Sequence, residues 1–342
     1  MASEAAQTLF HPFHTGDIDL PSNGVRALFI GAEAGMRLPQ GFAAELTLVN
    51  GFRPAFLDLK RSGHAVLPEP EGQGYGRVLA LAGRHRGENE ARLAQAIVRC
   101  ADDGVVAMAG GNTDGISSLR KRLAAAGVPV SGHLSKYHGE VFWLTPSPQA
   151  RDHAALLIAT QTEAELVDGR FRTAPGMFSH DRIDAGSRLL ATHLPDDLKG
   201  AAADFCAGWG YLSVELAQRS PSVASIDLFE ADHASLEAAK VNMAANAPAV
   251  TTAFHWTDLA GEAVPRKFDV IVMNPPFHQG RAADPGIGQA MIRTASAALV
   301  PDGRLFLVAN RGLPYEQVLV ASFRRSGELA RDAAFKVLWA RR

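Results

Sequence analysis

The sequence of 342 residues has few cysteines and no long hydrophobic run, and both absences exclude classes of protein. Two cysteines, Cys100 and Cys206, cannot build a disulfide framework or a zinc site without other ligands, which favours a reducing compartment. The longest apolar runs are strand-sized and fall far short of the roughly 20 residues that span a bilayer. The N-terminus lacks the residue order of a secretory signal, so we expect a cytoplasmic protein that makes no membrane contact.

The sequence also lacks a clear excess of either positive or negative charge. The formal net charge is −2, and the two halves of the chain share it about evenly, so any surface that binds nucleic acid must be local. The densest basic stretch is residues 311–342, whose basic side chains outnumber the acidic ones. The basic residues are Arg311, Arg324, Arg325, Arg331, Lys336, Arg341 and Arg342. A solvated helix face followed by a tail is the competing interpretation of this stretch.

Apolar residues make up 47% of the chain, and its length favours two domains. In the second half, strand patterns alternate with helix patterns, which predicts a doubly wound α/β domain. The predicted strands are 201–205, 222–229, 251–256, 268–273, 304–309 and 334–340, and the predicted helices are 212–218, 234–245 and 288–298.

The first half repeats this style less regularly. Its predicted strands are 26–30, 55–58, 77–80, 105–109 and 140–144, with helices at 89–100 and 116–126. No fixed sequence period supports an internal duplication. We therefore predict two tandem α/β domains, 1–160 and 161–342, with the boundary in the Pro-containing stretch 146–171.

A glycine-containing turn follows the predicted strand 201–205, in the segment Asp204-Phe205-Cys206-Ala207-Gly208-Trp209-Gly210. Glycines at such a turn let the backbone approach a ligand, and the following helix N-terminus offers free N–H groups. A purely structural turn is the alternative. Roughly 20 residues later Glu230 ends the next strand, at the distance from which an acid binds ribose hydroxyls in dinucleotide folds. Asp227 should lie inside that strand, and a helix-capping acid is the alternative role for Glu230.

Two further strand ends carry polar groups. Asp258 follows the strand 251–256, where a carboxylate could accept a hydrogen bond from an adenine amino group. Asn274-Pro275-Pro276-Phe277 follows the strand 268–273 and is the most specific motif in the chain. Two prolines fix the backbone and remove two N–H donors, which presents carbonyl acceptors beside an amide and an aromatic ring. That set suits a flat ring bearing an amino group.

These motifs together resemble class I S-adenosylmethionine-dependent methyltransferases, and the Asn-Pro-Pro-Phe segment is similar to the signature of enzymes that methylate planar amino groups. The segments 175–179, 184–190, 308–310 and 313–315 narrow the resemblance to the bacterial small-subunit (16S) ribosomal RNA guanine-N2 methyltransferases. Their chains pair a degenerate N-terminal methyltransferase-like domain with a catalytic C-terminal one. The match is close from about residue 175 onward and faint over residues 1–160.

The resemblance implies roles for individual residues. The cofactor S-adenosylmethionine would be bound by Phe178, Asp204, Gly208, Gly210, Glu230, Asp258 and Asn274. The reaction would be carried by Asn274, Pro275 and Phe277, and the substrate bound by Pro276, Phe277, Arg311 and Tyr315. A guanine swung out of its stack would place its amino group against Asn274 and the Pro275 carbonyl, while Phe277 stacks on the base. The implied partner is ribosomal RNA or the small ribosomal subunit; we expect a monomer that needs no metal.

Cys206 departs from the family pattern, which usually has glycine there. If the position needs positive φ, cysteine is strained by an amount on the order of 1 kcal/mol. Cys206 thus supports one alternative, a catalytically silent RNA-binding or ribosome-assembly factor. The Asn-Pro-Pro-Phe motif itself does not decide which amino group is methylated, so the same chemistry on a large-subunit guanine, an adenine N6 or a protein glutamine also stays open. His278 could be catalytic or a plain loop residue, and the turn at Gly110-Gly111-Asn112 predicts a structural role and no cofactor in the first half.

Overall fold

The computed structural model describes residues 3–163, 165–276, 278–279, 282–283 and 285–342. The chain divides into two compact units: Met1–Ala164 with Ala174–Gly176, and Glu165–Thr173 with Met177–Arg342. The predicted assignment of a degenerate domain to 1–160 and a catalytic one to 161–342 stays a prediction. Among the described residues, no helix is both long and apolar enough to cross a membrane.

The first unit contains a seven-stranded sheet with the strand order β3-β2-β1-β4-β5-β7-β6. Its elements are α1 (Glu4–Thr15), β1 (Arg26–Ile30), β2 (Glu45–Val49), α2 (Arg53–Lys60), β3 (Ala65–Leu67), β4 (Tyr75–Leu81), α3 (Arg86–Arg99), β5 (Cys100–Gly111), α4 (Ile116–Ala125), β6 (Gly132–Lys136), β7 (Gly139–Leu144) and α5 (Pro148–Thr162). Strands β1 to β5 pair in parallel, and β7 runs antiparallel to both β5 and β6.

One predicted strand in the first unit is wrong. Residues 55–58 lie inside helix α2. A proline stands in the first turn of this helix, where its missing N–H costs nothing. Only Phe56 and Leu59 are buried, which is the three-residue spacing of a helix face rather than the alternation of a strand. The edge strands β3 and β6 and the inner strand β2 are not predicted from the sequence, because each is short and carries polar or exposed positions.

The second unit contains another seven-stranded sheet, with the order β10-β9-β8-β11-β14-β16-β15. Its elements are α6 (Ala185–His193), β8 (Gly200–Phe205), α7 (Tyr211–Arg219), β9 (Val223–Glu230), α8 (His233–Asn246), β10 (Thr251–Trp256), β11 (Phe268–Met273), the short strands β12 (His278–Gln279) and β13 (Ala282–Ala283), α9 (Pro285–Ala298), β14 (Leu299–Asn310), α10 (Tyr315–Ser322), β15 (Arg325–Arg331) and β16 (Phe335–Arg341). The chain thus contains two tandem α/β units, and the second is doubly wound, which confirms the predicted fold class.

The central strands of the second sheet are covered on both faces, which explains the nearly continuous apolar run of β11. In β11, Val270 and Val272 pack into one core cluster, while Ile271 and Met273 pack into another on the opposite face. The first cluster includes side chains from α6, α7 and α8, and the second includes side chains from α9 and α10. The helices therefore fix the central strands from both sides and leave only the strand ends free for function.

The basic stretch 311–342 folds as α10, β15 and β16 rather than as a helix face and tail. Lys336, which we counted among the basic candidates, is 3% exposed, and its ammonium donates to Glu316 and to the Leu313 carbonyl. Arg331 pairs with Glu328. Because Lys336 is buried and already paired, it is not part of an RNA-binding surface in this structure.

Candidate functional site

The candidate site lies where the chain order of the second sheet reverses, between the neighbouring strands β8 and β11. Open α/β sheets bind ligands outside the carboxyl ends of the strands at such a switch point. The ends are level, because Phe205 pairs with Phe229 on one side and with Met273 on the other. The residues that follow these three strands therefore meet at one edge, as the sequence predicted.

The turn after β8 is built from left-handed backbone. Cys206, Gly208 and Gly210 have φ values of 63°, 54° and 90°. A Cβ on Gly210 would lie 3.3 Å from Cβ of Ala239, so glycine there lets α7 pack closely on α8. A Cβ on Gly208 would meet nothing within 4 Å. Gly208 thus borders open space at the sheet edge, as a position that cradles a ligand should.

Glu230 holds this turn from the end of β9. One carboxylate oxygen accepts from the Gly208 N–H at 2.8 Å and the other accepts from the Asp232 N–H at 2.8 Å. Burial of the carboxyl raises the pKa of Glu230 to about 7, although both backbone hydrogen bonds act to lower it. Each carboxylate oxygen can accept more than one hydrogen bond, so capacity for ribose hydroxyls remains.

Asp204 lies beneath the turn, in β8, and is fully buried. Its Oδ2 accepts from the Ser213 hydroxyl at 2.7 Å, whereas Oδ1 has no hydrogen-bond partner among the described residues. Burial, with a smaller effect from the charge of Glu230, raises the pKa of Asp204 to about 7. A cofactor contact by Asp204 stays a prediction, and in this structure the residue supports the start of α7.

The other two acids have different environments. Asp227 lies inside β9, as expected, and pairs with Arg266 and with Nε2 of His255 at 2.9 Å. Because both partners are protein side chains, we assign Asp227 a structural role in the sheet. Asp258 follows β10, and its carboxylate accepts from the Ala260 N–H at 3.0 Å, which shapes a turn. Its predicted hydrogen bond to an adenine stays a prediction.

Asn274 ends β11 on the other side of the switch point. Its Nδ2 donates to Oδ2 of Asp184 at 3.0 Å and to Oγ of Ser187 at 2.8 Å. Pro275 is buried and Pro276 is exposed. Phe277 lies outside the described residues, so its predicted stacking role stays a prediction. For His278, only the backbone of the short strand β12 is described.

A small cavity connects the two halves of the site. Phe178, Asp184, Gly208, Trp209 and Asn274 are among its lining residues. Its volume of about 40 Å³ is far below the roughly 300 Å³ at which small-molecule pockets begin. Glu230 and Asp258 are not among its lining residues, so this cavity is only part of the predicted cofactor site. The Phe178 carbonyl accepts from Nε1 of Trp209 at 2.9 Å, and its ring is 59% exposed.

The two predicted substrate residues of the C-terminal region differ in accessibility. Arg311 is exposed; its backbone N–H donates to the Ala334 carbonyl and its guanidinium donates to the Ala333 carbonyl at 3.4 Å, and its contact with substrate stays a prediction. Tyr315 is fully buried in the second core cluster, and its hydroxyl packs against Gly288, where a Cβ would lie 1.9 Å from it. In this structure Tyr315 packs the core, and its contact with substrate stays a prediction.

Three residues that the sequence did not single out for the site belong to it. Asp184 and Ser187 bind the Asn274 amide, and they stand in the segment 184–190 that carried the family resemblance. Asn242, buried in α8, donates to the carbonyls of Arg172 and Trp209 and so secures the turn. Nothing in its helical sequence context signals that role. No cluster of potential metal ligands occurs among the described residues.

In the first unit, neighbouring side chains occupy the space beside the glycine turn. Oδ2 of Asp114 accepts from the Gly111 N–H at 2.8 Å, and a Cβ on Gly110 would lie 2.8 Å from Cβ of Ala82. The close approach of side chains to these glycines leaves no cradle of the kind beside Gly208. The geometry supports a structural turn.

The positive φ of Cys206 leads to a testable prediction about the stability of two variants. Sγ of Cys206 contacts Sδ of Met291 at 3.4 Å, so a plain truncation loses packing. Cys206→Gly and Cys206→Ala both remove that contact, but only glycine relieves the left-handed backbone. We therefore expect Cys206→Gly to be more stable than Cys206→Ala by about 1 kcal/mol in denaturant unfolding.

Its matched control is the neighbouring residue Ala207, which is not among the residues with positive φ. Ala207→Gly should lose stability, because glycine there removes a methyl group buried in the first core cluster and adds freedom to the unfolded chain. Equal stability of the two Cys206 variants would contradict a strained backbone at this position.

Comparison with known proteins identifies the family of the second unit. The family model of the methyltransferase small domain matches residues 168–339. The ribosomal RNA small subunit methyltransferase C of Yersinia enterocolitica is 36% identical over 168 residues, 48% of this chain and 47% of that protein. The protein of the same name from Yersinia pseudotuberculosis is 32% identical over 234 residues, 67% of this chain and 63% of that protein. The matches thus span from about half to somewhat under two thirds of these relatives.

A solved structure matches nearly the whole chain. It is the T. thermophilus 16S rRNA N2 methyltransferase in complex with AdoMet and guanosine. The similarity has a TM-score of 0.77 at 25% sequence identity and covers 99% of this chain and 91% of the other. The likeness therefore extends over both units.

Proposed function

The chain belongs to the family of the methyltransferase small domain, and on that premise we propose that it transfers a methyl group from S-adenosylmethionine to the N2 amino group of a guanine in small-subunit ribosomal RNA. One observation carries the proposal. Gly208 and Glu230 lie on one side of the switch point between β8 and β11, and Asn274 lies on the other side. The names of the Yersinia relatives and of the T. thermophilus protein favour ribosomal RNA as the substrate.

The residues at the sheet edge fit S-adenosylmethionine. Gly208 leaves open space beside the turn, and Glu230 offers carboxylate oxygens one residue beyond the level strand ends. Asp258, at the end of the neighbouring strand, would bind the adenine, and Gly208 with Gly210 would border the methionine part. When bound, S-adenosylmethionine supplies an electrophilic methyl group on a positively charged sulfur.

The role of Asn274 follows from its hydrogen bonds. Its Nδ2 group is held by Asp184 and Ser187, so its Oδ1 is the acceptor for a substrate amino group. Oδ1 and the Pro275 carbonyl would draw the two amino hydrogens, which turns the nitrogen lone pair toward the methyl group. Because the nitrogen becomes positive in the transition state, fixed acceptors stabilise it, and positioning supplies much of the remaining rate. The methylated amine loses its proton readily, so no general base is needed.

The test of this proposal is a substrate comparison. The protein with labelled S-adenosylmethionine should methylate small-subunit ribosomal RNA, and the product should be N2-methylguanosine. Transfer to large-subunit RNA, to adenine N6 or to a protein glutamine would identify one of the alternatives instead. One observation favours a second candidate, a silent RNA-binding factor: Cys206 has a positive φ where the family usually has glycine. A calorimetric titration that detects no cofactor binding would support that candidate.

The raised pKa of Glu230 predicts that cofactor affinity depends on pH. Ribose hydroxyls donate to the ionised carboxylate and stabilise it, so the pKa should fall on binding. With a pKa of about 7 in the free protein, binding below that pH must release a proton, and affinity falls as pH falls. We expect binding about tenfold weaker at pH 6 than at pH 8 by calorimetry.

The control for this pH dependence is Glu230→Gln, which cannot ionise. It should bind more weakly, with nearly equal affinity at both pH values once the titration of the cofactor's own amino group, common to both proteins, is taken into account. A pH dependence identical to that of the wild type would assign it to another group.

A separate prediction concerns substrate capture. If Phe277 stacks on the extruded base, Phe277→Ala should weaken RNA binding by roughly 1–3 kcal/mol. The rate at saturating RNA should change less, because the acceptors at Asn274 and Pro275 stay in place. The KM for RNA measures this effect, and Phe277→Leu, which keeps an apolar side chain without the ring, is the matched control. An unchanged KM for Phe277→Ala would remove the stacking role.

A further inference from the structure

We propose that Asp184 is a positioning residue, which holds the Asn274 amide so that Oδ1 faces the reacting amino group. This inference rests on the proposed function. It assigns to Asp184 a role beyond that of capping a helix, and it explains why the acceptor in the Asn-Pro-Pro-Phe segment has a single orientation.

The orientation follows from the chemistry of the partners. Oδ2 of Asp184 lies 3.0 Å from Nδ2 of Asn274. A carboxylate only accepts hydrogen bonds, so the opposite amide orientation would place the Asn274 oxygen against an anionic oxygen. The Ser187 hydroxyl, 2.8 Å from the same Nδ2, accepts the second hydrogen. Both amide hydrogens are then used, and only the amide oxygen remains for a substrate.

Asp184 is itself held rigidly. Its Oδ2 also accepts from the Ser187 N–H at 2.7 Å and so caps helix α6. That helix is anchored on the sheet by Leu190 in the first core cluster, and by Gly186, where a Cβ would lie 3.1 Å from the ring of Phe335. A fixed helix start therefore fixes the carboxylate, and the carboxylate fixes the amide.

Capping alone does not require aspartate. Serine and asparagine are about equally good at this position of a helix. Asp184→Ser keeps the cap but shortens the side chain away from Asn274. Asp184→Asn keeps an acceptor oxygen where Oδ2 now lies, so both hydrogen bonds can persist. The two variants separate the positioning role from the structural one.

The experiment measures single-turnover methyl transfer to ribosomal RNA at saturating S-adenosylmethionine. We expect Asp184→Ser to lose about tenfold in rate with its KM for RNA nearly unchanged, and Asp184→Asn to stay within about threefold of the wild type. In an Asn274→Ala background, Asp184→Ser should cause no further loss, because the residue acts through that amide. The same loss in both backgrounds, or a wild-type rate for Asp184→Ser, would overturn the proposal.

Two further measurements keep the proposal testable. Ser187→Ala, which retains the capping N–H, should also lose rate, and it replaces Asp184→Ser if that variant does not fold. If the wild type transfers no methyl group, the proposed function fails, and the positioning is then tested by NMR. The side-chain amide of Asn274 should be protected from exchange in the wild type and in Asp184→Asn but exposed in Asp184→Ser. Equal protection in all three proteins would overturn the positioning role.

Discussion

Asn274→Ala should lower the methyl-transfer rate by a hundredfold or more, on the order of 3 kcal/mol, the scale seen when one oriented transition-state group is removed. The variant lacks the amide oxygen that would draw an amino hydrogen, and it leaves Asp184 and Ser187 without their shared donor. Cofactor affinity should change far less, because Glu230 and the turn at Gly208 are intact. Single-turnover rates at saturating cofactor measure the effect.

Two companion variants sharpen this prediction. Asn274→Asp keeps an acceptor oxygen, but it removes the N–H donors and sets a second carboxylate against Asp184, so it should be at least as slow as the alanine variant. Asn23→Ala, at an exposed position in the first unit, is the control and should keep the wild-type rate. Normal transfer by Asn274→Ala would show that the catalytic assignment is wrong.

The second large effect should come from Glu230→Ala, which we expect to weaken S-adenosylmethionine binding by about a hundredfold. The substitution removes the acceptor for ribose hydroxyls and leaves the N–H groups of Gly208 and Asp232 without the carboxylate that holds the turn. Calorimetry measures the affinity. The control is Glu237→Ala on the exposed face of α8, where the carboxylate lies beside Lys240 and His233, and this variant should bind normally.

An unchanged affinity for Glu230→Ala would mean that the cofactor does not lie over the turn after β8. Glu230→Gln separates the two contributions, since it retains an acceptor for one backbone N–H and removes the charge. Its affinity should lie between those of the wild type and the alanine variant.

The sequence was most informative where strands are buried on both faces. The predicted bounds of β11 agree with the structure, because its apolar run ends at the polar residue Asn274. Those of the edge strand β10 also agree, although none of its residues is buried. Parallel strands bring their carboxyl ends to one edge, so the meeting of Glu230 with Gly208 could be predicted from order and spacing alone. The positive φ at Cys206 was foreseen as a possibility from the glycine that the family has there.

Other parts of the site could not be predicted. Asp184 and Asn274 are 90 residues apart, and their contact depends on how α6 packs against the sheet. The burial of Lys336 could not be predicted, because lysine side chains are ordinarily exposed to solvent. Its partner Glu316 is brought close to it only by the fold. Helix α2 was mistaken for a strand because four residues hold too little periodicity to distinguish the two.

Methylation of guanine N2 in small-subunit ribosomal RNA, the proposed function of this chain, is tested most directly by mass mapping of modified nucleosides in that RNA from a strain in which the gene is deleted. We expect one N2-methylguanosine to be absent from the deletion strain, to return with the wild-type gene and not to return with Asn274→Ala. An unchanged set of N2-methylguanosines in the deletion strain would contradict it.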